Sequence, residues 1–258
     1  MPGFESFPVG VVLWIVMVIA FAALVQGALG LGFPMVATPL IALVTDIRSA
    51  VILVLLPCVA AIVANIVKGG PLRPVLAEFW MMPLYALAGA AVGTRLFIAF
   101  PAFPFAVLLS IVILAYLNLD RLGRTDWPLI RRHRAWFGAL FGVIAGFSEG
   151  TANAAAPPLV VYYLALGLTP VVLVQALNIC FITGKATQFA TLAASGSVGA
   201  AQWLATLPLA AVAGISVLYG IHIRSRVVAA TYRRWLKYAL FSVALILLVQ
   251  YAYGKLAI

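Results

Sequence analysis

The chain has 258 residues, of which 66% are hydrophobic and 9% charged. A soluble domain carries roughly a quarter charged residues to coat its surface, so a soluble enzyme, a coiled coil and a disordered tail are all excluded. The composition predicts an all-α polytopic membrane protein. Sixteen Lys and Arg against six Asp and Glu give a formal charge of +10. The basic runs Arg131-Arg132-His133-Arg134 and Arg233-Arg234-Trp235-Leu236-Lys237 lie between long apolar segments. Short basic loops there orient a membrane protein and sit against anionic lipid, so no nucleic-acid partner is implied.

From the amino terminus, Met1 to Gly10 carries Glu5 and no Lys or Arg, and the apolar run from Val9 continues past signal-peptide length. It reads as a retained helix, not a cleaved leader. Apolar segments follow at about 9–27, 34–45, 48–68, 74–99, 104–119, 135–149, 156–167, 169–195, 198–223 and 233–253. A crossing helix needs about 20 residues, a length that six of these segments approach or exceed, or seven with 9–27. Segments 34–45 and 156–167 are too short to cross alone. Each follows a break, Gly27-Ala-Leu-Gly30-Leu-Gly32-Phe-Pro34 in one case and Glu149-Gly150-Thr151-Ala-Asn153-Ala-Ala-Ala-Pro157 in the other.

The two breaks mark an internal repeat. A shift of 123 residues places Gln26 on Glu149, Gly27 on Gly150, Pro34 on Pro157 and Asn65 on Gln188, and a shift of 125 places Pro83 on Pro208 and Gly89 on Gly214. The expected organisation is two homologous halves, 1–119 and 135–258, joined by a basic linker at 120–134. Each half would hold a broken helix or hairpin plus three long transmembrane helices. The linker and the stretch 224–237 should be cytoplasmic, with Lys68 and Arg73 on the same side. The uncharged loops Phe100–Pro104 and Ser195–Gly199 then face outward. Each half makes an odd number of crossings, so the halves are expected to be inverted repeats, a recurring construction of secondary transporters. Lys255 outside runs against the charge rule. The expected location is the inner cell membrane.

Certain residues now carry a resemblance. Gly27-x-x-Gly30-x-Gly32-x-Pro34 with Gly89-Ala-Ala-Val-Gly93-Thr-Arg95-Leu resembles the first half of the sulfite exporter TauE/SafE family. Gly142-x-x-x-Gly146 through Pro157-Pro158, then Gly214 to Gly220 and Arg224–Arg226, resembles its second half. The resemblance covers nearly the whole chain and implies a multi-pass permease for small anions, typically sulfite, sulfonates or related organosulfur acids. One departure is Asn153-Ala154-Ala155-Ala156, where the family's second break is usually glycine-rich.

Physical chemistry supplies an anion site independently. An unwound stretch turns backbone N–H groups into a cavity, and a helix beginning after it presents a positive dipole end. Pro34 and Pro157 suit the first position of such helices. Gly27, Gly30 and Gly32 either let the backbone approach a ligand or let helices pack closely; both readings stand. Gly150, Thr151 and Asn153 occupy the second break. Asn178, Lys185 and Gln188 share one face of segment 169–195, and an ionisable side chain at that depth faces a cavity or a partner. Lys185 is therefore either an anion ligand or the partner of Glu149, and both hold if Glu149 releases it when substrate arrives. Glu149 is also the candidate proton carrier, or a simple cap of the broken helix. Gln26 fills the equivalent place and cannot titrate, so any proton path is asymmetric. Asn65 is the repeat mate of Gln188 and is expected to face the same cavity. Arg95 reads as reaching for the membrane interface, with anion recruitment as its other use.

Enzymatic readings lack residues. The two histidines are His133 and His222, no Walker-type phosphate loop occurs, and Cys58 and Cys180 lie inside apolar stretches. No metal, haem or other cofactor is expected. Trp80, Trp127, Trp136 and Trp235 suit interfacial belts. The expected function is a secondary transporter of small anions, with H+ as candidate coupling ion. The alternatives are an anion channel without alternating access and a membrane scaffold subunit.

Overall fold

The computed structural model describes residues 7–118 and 127–224, and 241, 244–249 and 251–252 further on. The described chain is helical: α1 Val9–Leu29, α2 Phe33–Ala42, α3 Ile47–Lys68, α4 Arg73–Phe79, α5 Met81–Ala99, α6 Phe105–Leu117, α7 Pro128–Arg132, α8 Arg134–Ala152, α9 Ala156–Ala165, α10 Pro170–Ala194 and α11 Ala200–Ile223. Five of these, α1, α3, α5, α10 and α11, are long and apolar enough to cross a membrane. Their outward faces carry exposed Leu13, Met17, Phe21, Val92, Leu204 and Ile215, a surface suited to hydrocarbon and not to water.

Two segment expectations change. Segment 74–99 divides at Trp80 into α4 and α5, where Pro83 has no N–H to donate to the carbonyl four residues back. Segment 104–119 gives only the 13-residue α6. Most of 233–253 and the first part of the 120–134 linker lie outside the described residues. The short helices α2 and α9, ten residues each, span about 15 Å at 1.5 Å per residue, about half a bilayer core. Each folds back along the helix before it. Trp14 Nε1 donates to Leu40 O at 3.0 Å, tying α2 to the first turns of α1. Likewise, Tyr162 Oη donates to Arg134 O at 3.0 Å, tying α9 to the start of α8. Both breaks are therefore tips of helical hairpins.

The turns follow from local backbone chemistry. Gly30 and Gly32 have φ of 82° and 111°, a left-handed conformation that a Cβ penalises. At the second tip the same conformation falls on Asn153, φ 55°, the non-glycine residue type that best tolerates it.

Packing crosses between the two parts of the chain: α1 lies against α11, and α5 against α8. Small residues make this possible. A Cβ on Gly27 would lie 2.3 Å from Val217 O, and one on Gly150 would lie 2.6 Å from both Ala90 O and Thr94 N. Thus the second contact repeats the first one with partners 127 residues apart, two more than the shift read from the prolines. The tightest helical approach in this pair is at Gly146, where a Cβ would stand 2.0 Å from Ala86 O. That atom is backbone and cannot rotate away. Gly146→Val should therefore destabilise the fold by at least about 1–3 kcal/mol, the usual range for overpacking. Its thermal midpoint in detergent should fall, whereas Gly214→Ala, with open space around it, should leave the midpoint unchanged.

Charges and contacts also define two ends. Gln175 Nε2, near the start of α10, donates to Ile66 O and Gly70 O at the end of α3, so Lys68, Arg73 and the start of α10 share one end. The end of α10 and the start of α3 share the other, with the end of α5. The first hairpin tip lies toward the basic end, and the second toward the opposite end.

Candidate functional site

At the second tip α8 stops at Ala152 and α9 starts at Ala156. Glu149 lies in the last turn of α8, and its Oε2 accepts a hydrogen bond from Ala155 N at 3.1 Å, at the positive end of α9. Its Oε1 stands 2.7 Å from Lys185 Nζ and takes no hydrogen bond of its own, so the ion pair alone holds that oxygen. The ammonium also donates to Asn153 Oδ1 at 2.6 Å and Gln188 Oε1 at 3.0 Å. Lys185 is 0% and Glu149 1% exposed. Two charges so deep are tolerated only as a pair with further polar partners.

Neutral amides tie this pair to the fold. Asn153 Nδ2 donates to Thr38 Oγ1 on α2 and Val51 O on α3, both at 3.2 Å. Gln188 Nε2 donates to Glu149 O at 3.2 Å and Asn153 Oδ1 at 3.1 Å, a second donor on a carbonyl that already accepts from Asn153 N in the last turn of α8.

The first tip has the same plan with neutral groups. Gln26 Oε1 accepts from Phe33 N at 2.9 Å, as Glu149 accepts from Ala155. Asn65 Nδ2 donates to Gln26 O at 3.2 Å, as Gln188 does to Glu149 O. Asn178 Nδ2 donates to Gly30 O at 2.9 Å and its Oδ1 accepts from Gln26 Nε2 at 3.1 Å. The cation here is Arg224: Nε and Nη2 donate to Gly27 O at 3.0 and 2.8 Å, and Nη2 donates to Asn65 Oδ1 at 2.8 Å. A guanidinium on the end carbonyls of α1 complements that helix's negative pole.

The polar stripe of α10 is thus shared between the tips. Asn178 bonds to the first, Lys185 and Gln188 to the second, and Asn65 sits at the first tip apart from Gln188. Gly27 and Gly150 serve helix contact, Gly30 and Gly32 shape the turn, and Pro34 opens α2. Thr151 turns its hydroxyl back onto Phe147 O at 2.8 Å and away from the ion pair. Arg224, Gln175 and Thr38 were not distinguished from the sequence. Arg224 is hidden in a basic cluster whose plain use is orientation, and Thr38 offers no signal beyond lying on a short helix.

An interrupted-helix bundle with a buried, charge-balanced polar centre is a construction that recurs among membrane transport proteins. Comparison with protein families matches residues 15–249 to "Sulfite exporter TauE/SafE". The chain belongs to that family, one of membrane transporters and exporters of sulfur anions. Comparison with curated proteins and with solved structures gives no match.

Proposed function

We propose that this protein is a secondary transporter in which a small sulfur oxyanion, sulfite or a sulfonate, exchanges with the Glu149 carboxylate at the second hairpin tip. The carrying observation is that one carboxylate occupies both anion-binding features there, the Lys185 ammonium and the Ala155 N–H at the start of α9. An oxyanion presents the same acceptor oxygens and charge as a carboxylate. Replacing the internal anion with an external one conserves the charge balance of a site that could not stand empty.

A proton is the natural coupling ion. Protonation cancels the carboxylate's hold on Lys185 and frees the ammonium for the incoming anion, which places anion and proton on the same side of the cycle. The other elements of the reading are two inverted halves that rock about the centre and loops 120–134 and 224–237 on the cytoplasmic side. In support, α1–α11 and α5–α8 contacts replace one another between the halves, and Lys185 and Glu149 are closed to solvent, which suits a carrier better than an open pore.

The test uses purified protein in liposomes. Saturable sulfite or sulfonate uptake that speeds up when the same anion is preloaded inside is the expected result. Uptake that rises linearly with concentration would replace the carrier with a channel. Absence of flux and of any thermal stabilisation by sulfite, sulfate, taurine or sulfoacetate would remove the transport reading.

A further inference from the structure

A groove of about 470 Å³ opens between the ends of α5 and α10, lined by Arg95, Ile98, Ala190, Thr191, Ala194 and Ser195. It lies at the end remote from Lys68 and Arg224, below the uncharged loops. We propose that it is an aqueous vestibule in which Arg95 captures the anion before it moves to the second hairpin tip. The inference rests on the transport reading and adds to it a first binding site and its cation.

Four observations support it. The volume exceeds that of a small oxyanion with several waters, each taking about 30 Å³. Arg95 is exposed and makes no hydrogen bond or ion pair with any described residue, unlike Arg224, which is tied down at the other tip. Its charge has weak local competition: the other charged side chains described at this end are Arg48, stacked 4.6 Å over the Phe97 ring, and Asp46, engaged in capping α3 through Arg48 N and Ser49 N. Finally, residues beside the groove adjoin the second tip. Thr191 on its wall is one turn of α10 beyond Gln188. Thr94, next to Arg95, is fully buried against Gly150, and its hydroxyl has no partner among the described residues. A buried hydroxyl in that state is uncommon and calls for a ligand or water. It lies against Gly150, the residue after Glu149. An isolated cation in a low-dielectric cleft concentrates anions from solution.

The field can be read without transport. Ala194→Cys introduces one thiol on the groove wall, while the native Cys58 and Cys180 are free and buried. Its rate of reaction with an anionic methanethiosulfonate, divided by that with a cationic one of similar size, should fall at least about tenfold when Arg95→Gln is added. An unchanged ratio would overturn the vestibule, as would a thiol reached only by a lipid-soluble maleimide, which would make the groove a lipid contact. In liposomes, Arg95→Gln should raise the sulfite KM on this face with kcat unchanged and remove its dependence on ionic strength, and Arg95→Lys should restore both. Wild-type protein that carries no sulfite would refute the transport reading, while the labelling ratio would still decide whether the groove gathers anions.

Discussion

Lys185→Met should be the most damaging single substitution in the protein. It removes the ammonium from Glu149, which is 1% exposed, leaves Gln188 Oε1 without its donor and leaves Asn153 Oδ1 with Gln188 Nε2 alone. Stranding one member of a buried pair costs about 3–5 kcal/mol, a large part of the stability of an ordinary domain. The thermal midpoint in detergent should drop sharply, and sulfite uptake should vanish. Lys185→Met with Glu149→Gln separates the two effects. With both charges gone, the remaining polar contacts can close around a neutral glutamine, and replacing whole buried pairs is often neutral or stabilising. The double variant should recover most of the midpoint and none of the uptake. Recovery of uptake would remove Lys185 from the anion site, and a single variant as stable as wild type would show that the pair does not hold the fold.

This separation also shows how much the sequence discloses. The ion pair was readable because a lysine and a glutamate are so out of place in apolar segments that each implies a partner, and Glu149 lies at a break. The equivalence of Asn65 and Gln188 was readable from the 123-residue shift, and each adds a donor to a carbonyl in the last turn of a broken helix. Direction was harder to read. A stripe on one helix face says which residues align along α10, but not that α10 spans from one tip to the other, so Asn178 and Lys185 serve different tips. That outcome depends on the hairpins folding back, which is set by left-handed residues 30, 32 and 153 and not by the hydrophobic pattern. Arg224 was hidden because its neighbours explain its charge, and only the contact of α11 with α1 brings it to Gly27. The vestibule depends on the distance between two helix ends, which no local pattern in the chain encodes.

Glu149→Gln should uncouple transport while leaving the site able to bind. The glutamine oxygen can still accept from Ala155 N, as Gln26 does from Phe33 N at the other tip, but Lys185 is left a buried charge without its anion, so the midpoint should fall in the absence of ligand. Lys185 then keeps two neutral acceptors, Asn153 and Gln188, and loses its internal anion, so an external oxyanion meets no competitor. Its affinity should rise, read as a larger thermal shift at equal ligand concentration, and homo-exchange across the membrane should continue. Proton-driven accumulation should stop. The sign of the pH effect follows from the exchange itself. In wild type, a proton gradient directed with the anion should speed uptake. In Glu149→Gln nothing at this position titrates, and the rate should be flat with pH. A sulfonate is the right probe because its charge stays constant across the range, so any slope belongs to the protein. Retention of the full wild-type slope would move the proton elsewhere and reduce Glu149 to the cap of a broken helix.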